Sequence, residues 1–113
     1  MDADRTVAVA TAELFKALSH PARVRVLEAL ADREFPVGQL ADRLGMELSH
    51  LSQQLAVLRR AGAVSNRRVG SVVFYRLRDP RMTQLLFVAK ELLVTALQDN
   101  QGLLRHLDAP HPD

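Results

Sequence analysis

The sequence predicts a mainly α-helical domain carrying one small β-hairpin, and three observations lead there. Helical apolar spacing covers most of its 113 residues. It gives way once, between Val64 and Leu77, to two β-rich runs around a Gly turn. The length supports one modest core and not two, so residues 1–113 are expected to form a single domain.

The first helix is expected from about Val7 to Leu18, with Leu14, Phe15 and Leu18 forming its apolar stripe. Ser19-His20 ends it. Pro21 suits the first position of a second helix, where its missing N–H is one of the unpaired donors, and Val24, Leu27 and Leu30 define the buried face of a helix ending near Asp32. Glu34-Phe35-Pro36 reads as a short extended connection, because Pro36 disfavours helix at Phe35. Val37 to Leu44 gives two further turns with Leu40, Ala41 and Leu44 inward, closed by Gly45 as a left-handed cap.

After the turn Gly45-Met46-Glu47, a fourth helix runs to about Ala61 with Leu48, Leu51, Leu55 and Leu58 on one face, and Gly62 ends it. Two short helices joined by a Gly-containing turn of this length make a helix-turn-helix, whose second helix can enter a DNA major groove. The hairpin follows, with Val69-Gly70-Ser71 at its tip. Asp79-Pro80 then supplies an N-cap and a first-turn proline for a fifth helix expected to extend to Leu107. Its apolar stripe is longer than the rest of so small a chain can cover, which predicts a homodimer through the first and last helices. The residues assigned to that interface are Leu14, Leu85, Leu92, Leu93, Leu97 and Leu104.

The formal charge is only +2, but it is unevenly spread. Residues 59–81 hold Arg59, Arg60, Arg67, Arg68, Arg76, Arg78 and Arg81 against Asp79 alone, a net of +6, while both flanks are mildly acidic. Such a patch fits contact with phosphates better than it fits scattered surface charge. Opposite the leucines of the fourth helix lie Ser49, Gln53, Ala56 and Arg60, flanked by His50 and Val57. Gln bonds adenine bidentately and Ser and His are short polar contacts, so Ser49, His50, Gln53 and Gln54 are the candidate base readers. Early in the helix, Ser49 has the competing role of capping free N–H groups. Arg59, Arg60, Arg67, Arg68 and Ser71 are the candidate phosphate and wing contacts.

Catalysis is not expected. The chain has no cysteine, no His-Glu-x-x-His and no Gly-rich phosphate loop. No cofactor is expected either. The acidic start of the chain lacks the basic segment of a secretory signal, and no apolar run is long enough to span a bilayer, so the expected compartment is the cytoplasm with no membrane partner.

With these elements in place, the sequence resembles the ArsR/SmtB family of bacterial winged-helix transcriptional regulators across nearly its whole length. Leu14–Leu27 looks like the opening signature of that family and Val37–Ala41 like its third helix. Leu51–Val64 is similar to its recognition helix and exit, and Arg67–Gly70 with Phe74–Leu77 matches its wing. The resemblance implies a homodimer on an imperfect inverted repeat, usually a repressor released by a ligand.

The family's sensing sites are where this chain departs. Phe35-Pro36-Val37-Gly38 stands where soft-metal sensors carry cysteines, and no Asp-x-His pair occurs in residues 80–100. His106, Asp108 and His111 remain as candidate ligands for zinc or nickel. The alternative triggers are a small effector or a separate sensor protein, and the alternative function is a winged-helix protein-interaction module. The expected partners are therefore double-stranded DNA, a second copy of the chain and one such effector.

Overall fold

The computed structural model describes residues 3–99. Five helices and three strands follow in the order α1 (Ala3–Leu18), α2 (Pro21–Leu30), β1 (Phe35–Pro36), α3 (Val37–Leu44), α4 (Leu48–Arg60), β2 (Val64–Val69), β3 (Val72–Leu77) and α5 (Arg81–Asp99). This is the expected mainly α-helical architecture with a helix-turn-helix, α3 and α4, followed by a β-wing. The chain divides between Thr83 and Gln84 into two compact units.

Local chemistry explains most boundaries in the first unit. His20 is extended and its Nδ1 accepts from the Ala22 N–H at 3.1 Å, so it caps α2 just ahead of Pro21. Gly45 closes α3 at φ 60°, a conformation that costs a residue without Cβ nothing. α4 begins after Glu47 with no side-chain cap and is held instead by its packing. Leu51, Leu55 and Leu58, at i, i+4 and i+7, are fully buried with Leu27 and Val26 of α2 and Leu40 of α3. Truncating one of them, as in Leu55→Ala, costs about 2–5 kcal/mol through lost transfer energy and the cavity left behind.

Two boundaries differ from expectation. α1 starts at Ala3, ahead of Val7. Phe35-Pro36 is more than a connection: it pairs antiparallel with β3, Phe35 against Tyr75 and Pro36 against Phe74, giving the sheet order β1-β3-β2. Proline is tolerated there because β1 is an edge strand. Phe35 is fully buried, and the Arg33 guanidinium lies 4.0 Å from its ring centroid. β2 and β3 pair from Val64–Leu77 to Val69–Val72, so only Gly70, at φ 60°, and Ser71 form the turn.

α5 opens on Asp79, whose Oδ1 accepts from the Arg81 N–H at 2.9 Å. The Arg81 guanidinium grips the same carboxylate, holding the Asp79 pKa down at about 2 from its ordinary 3.8. No residue of α5 is buried. Phe87, Val88, Leu92, Leu93 and Val94 are all exposed, an apolar surface far beyond what a lone helix keeps in water. The expected continuation of this helix to Leu107 lies outside the described residues.

Candidate nucleic-acid interface

At 100° per residue, burial of Leu51, Leu55 and Leu58 turns Ser49, Gln53, Ala56 and Arg60 to the opposite side of α4, and all four are exposed. His50 is exposed on the shoulder of the same stripe. The capping role open to Ser49 is not taken up, since no side chain caps the start of α4. Ser52 belongs with this group and was missed by the sequence reading: it is exposed and lies nearer the centre of the stripe than His50 does. Its position on the helical wheel was the available signal.

Gln54 corrects the expectation. It is only 9% exposed, and its Oε1 accepts from Arg23 Nη1 at 3.2 Å. The wheel puts Gln54 on the flank next to Leu58 and Leu51, and a partner 31 positions earlier in the chain turns that flank inward. Gln54 ties α4 to α2 and lies nearly buried, off the exposed stripe.

The wing separates its two central arginines. Side chains alternate along a strand, so Arg67 and Arg68 point to opposite faces of β2. Arg67 donates twice to Glu34, Nη2 to Oε1 at 2.6 Å and Nε to Oε2 at 2.9 Å, and lies 4.8 Å from the ring centroid of its cross-strand partner Phe74. The bidentate bond to Arg67 holds the Glu34 carboxyl below its usual range and pushes the Arg67 guanidinium further up. Arg67 is therefore a brace between the wing and the α2–β1 connection, which departs from its expected role as a phosphate contact. Arg68 is exposed and takes part in no ion pair among the described residues. Ser71 is exposed at the tip.

An open groove of about 660 Å³ lies between the helix-turn-helix and the wing tip. The start of α3, from Pro36 to Asp42, forms one side, the wing tip from Ser71 to Val73 the other, and Met46 and Leu48 close the end where α4 begins. Of the candidate contacts only Ser71 lines this groove, so it joins the wing tip to the start of the helix-turn-helix but does not include the polar stripe of α4 or Arg68. Arg59 and Arg60, exposed in the last turn of α4, complement the negative end of its dipole and extend the positive surface.

Of the residues assigned to a dimer interface, Leu92 and Leu93 are exposed, while Leu14, Leu85 and Leu97 are half-buried. Leu104 lies outside the described residues, as do the candidate metal ligands His106, Asp108 and His111. Among the described residues no three His, Asp or Glu side chains gather to hold a metal, and no helix is long and apolar enough to cross a membrane.

A helix-turn-helix domain family matches residues 18–66. The HTH-type transcriptional regulator Rv0081 of Mycobacterium tuberculosis is 48% identical over 99 residues, 87% of each chain. Its crystal structure superposes with a TM-score of 0.75 at 44% identity, covering 88% of this chain and 98% of that one. The homodimeric winged helix-turn-helix DNA-binding domain of Mb0332 from Mycobacterium bovis, a possible ArsR-family regulator, superposes with a TM-score of 0.71 at 29% identity over 98% of this chain and 96% of that one. The transcriptional repressor BigR of Xylella fastidiosa gives 0.63 at 34% identity over 98% and 100%.

Proposed function

The chain belongs to the ArsR/SmtB family of winged helix-turn-helix transcriptional regulators, and from that premise we propose that it binds an inverted-repeat DNA operator as a homodimer and represses transcription there. Its relatives are regulators, not enzymes. The observation that carries the proposal is the division of labour between polar and cationic side chains. A neutral polar stripe sits at the start of α4, and Arg59 and Arg60 at its end and Arg68 on the wing are exposed cations in no ion pair among the described residues.

In this reading α4 enters the major groove. Ser49, His50 and Gln53, joined by Ser52, meet base edges. Arg59, Arg60, Arg68 and Ser71 contact phosphates and set affinity without sequence preference. The exposed apolar surfaces of α1 and α5 cover one another's copies across a two-fold axis, so residues 1–113 act as one module whose pairing sets the operator's symmetry. Repression is supported by the relative named a repressor, and a cytoplasmic location follows from the DNA target. The sequence holds no cysteine, so release from DNA has to come from something other than thiolate chemistry, such as a small effector.

Selection from a library of random duplexes tests this. The expected product is an inverted repeat with half-sites about 10–10.5 bp apart, one helical turn. Recovery of unrelated sequences, with no enrichment over several rounds, would reject sequence-specific binding.

A further inference from the structure

Arg23 of α2 is not among the residues assigned to DNA, and its bonds lie within the protein. Its guanidinium is half-buried between three helices: Nε donates to the Ala17 carbonyl of α1 at 2.5 Å, and Nη1 to Gln54 of α4 at 3.2 Å. Guanidinium has five N–H groups, and these two bonds leave Nη2 unspent. Beside it opens a cavity of about 410 Å³, within the size range of small-molecule sites.

The walls of that cavity are chemically uneven. Lys16 of α1 and Arg60 of α4 join Arg23 at its rim, against the single carboxylate of Glu13. None of the ion pairs among the described residues involves any of these four groups. Three cations against one carboxylate leave this concavity a net charge of +2, which a further anion would offset. The remaining wall is small and apolar, Ala17, Val57 and Ala61, so the space is neither filled by side chains nor wholly polar. At the helix ends beside it, Arg23 occupies the Ala17 carbonyl and the Ala61 N–H that of Val57.

We propose that this cavity binds a small organic carboxylate, held by Lys16, Arg23 and Arg60 with its apolar body against Ala17, Val57 and Ala61. The site also bears on regulation. Arg60 ends the DNA-facing stripe of α4, so a carboxylate that neutralises Arg60 and Lys16 competes with phosphate and loosens the grip on DNA. The ligand binds the DNA-free state better, which shifts the equilibrium toward release. This regulatory half rests on the DNA-binding reading; the binding half does not.

Calorimetric titration of the full chain with benzoate, acetate and inorganic phosphate at fixed ionic strength tests the site. Benzoate should saturate one site per chain and bind more tightly than acetate or phosphate, since only benzoate fills the apolar wall. Lys16→Gln should weaken it about tenfold or more, the scale of one charge-assisted hydrogen bond. No saturable benzoate binding, or equal binding by Lys16→Gln, overturns the site, and phosphate binding as tightly as benzoate overturns its organic character. In a mobility-shift assay on the selected duplex, benzoate should weaken wild-type binding and spare Lys16→Gln. A protein that binds DNA but not benzoate refutes the site alone, and one that binds benzoate but no DNA refutes the DNA reading alone. Benzoate that binds without moving DNA affinity refutes the coupling. If Lys16→Gln by itself flattens the salt dependence of DNA binding while benzoate fails to bind, the cavity serves a DNA phosphate and the proposal falls.

Discussion

Arg68 and Arg67 are neighbours in sequence with the same charge, yet only Arg67 is held in an ion pair, and on the proposed reading only Arg68 meets a phosphate. Arg68 is exposed and in no ion pair among the described residues, whereas both Glu34 oxygens hold Arg67 at 2.6 and 2.9 Å. Consider Arg68→Ala in a dimer bound to its operator. Two phosphate contacts disappear, one per protomer, and each contributes about 0.9 to the slope of log K against log salt, so the slope should fall by about 1.8. Over a fourfold rise in salt, such as roughly 50 to 200 mM, the wild type should lose about twelvefold more affinity than the variant. The matched control is Glu34→Gln with Arg67→Ala, which removes the ion pair at unchanged net charge and should leave the slope where it was. Fluorescence anisotropy of a labelled operator across a salt series measures both. An unchanged slope in Arg68→Ala, or an equal fall in the double variant, would refute the assignment of the phosphate contact to Arg68.

Gln53 and Gln54 should separate in the same way. Gln53→Ala should erase about 1–3 kcal/mol of discrimination at one base pair while thermal stability holds, whereas Gln54→Ala strips Arg23 Nη1 of its acceptor and should lower stability without relaxing sequence preference. Leu92 and Leu93 are 67% and 55% exposed, so changing both to Asp should cost the single chain little yet shift sedimentation from dimer to monomer; a dimer that persists moves the interface elsewhere. The lowered Asp79 pKa gives a pH signature. Its contribution is fully present above about 3.8 and is lost as pH falls through about 2, so the stability gap between wild type and Asp79→Ala in urea should be flat from neutral pH down to the upper value and then close. A gap independent of acid would show that the carboxylate charge does not matter to the start of α5.

Elements fixed by local chemistry were legible in the sequence. Pro21, Gly45, Gly70 and Asp79-Pro80 each act within a few residues, and each marks the boundary it was expected to mark. The leucine spacing of α4 likewise fixed which side faces out, since three buried leucines leave one rotation. What escaped was settled by distant partners. Phe35-Pro36 is too short to announce itself as a strand and becomes one only because β3 offers a free edge. Arg67 and Glu34 are 33 positions apart, and Gln54 and Arg23 are 31 apart, so neither bond leaves a trace in any local window. In both cases a residue assigned to DNA from its type is bonded instead to a side chain from elsewhere in the fold. Ser52 was overlooked for the opposite reason, a small residue whose value comes from its exposure.

The two-residue tip of the wing bears on the thermodynamics of docking. Each backbone residue that becomes ordered on binding costs roughly 1–2 kcal/mol of entropy, and a hairpin paired as far as Val69 and Val72 has only Gly70 and Ser71 left to order. A floppy basic arm of the same charge would have to freeze several residues to place one arginine. Here Arg68 rides on a strand that is already formed, so the entropy of complex formation should reflect displaced ions and water more than chain ordering, and operator capture should not wait for a loop to find its shape.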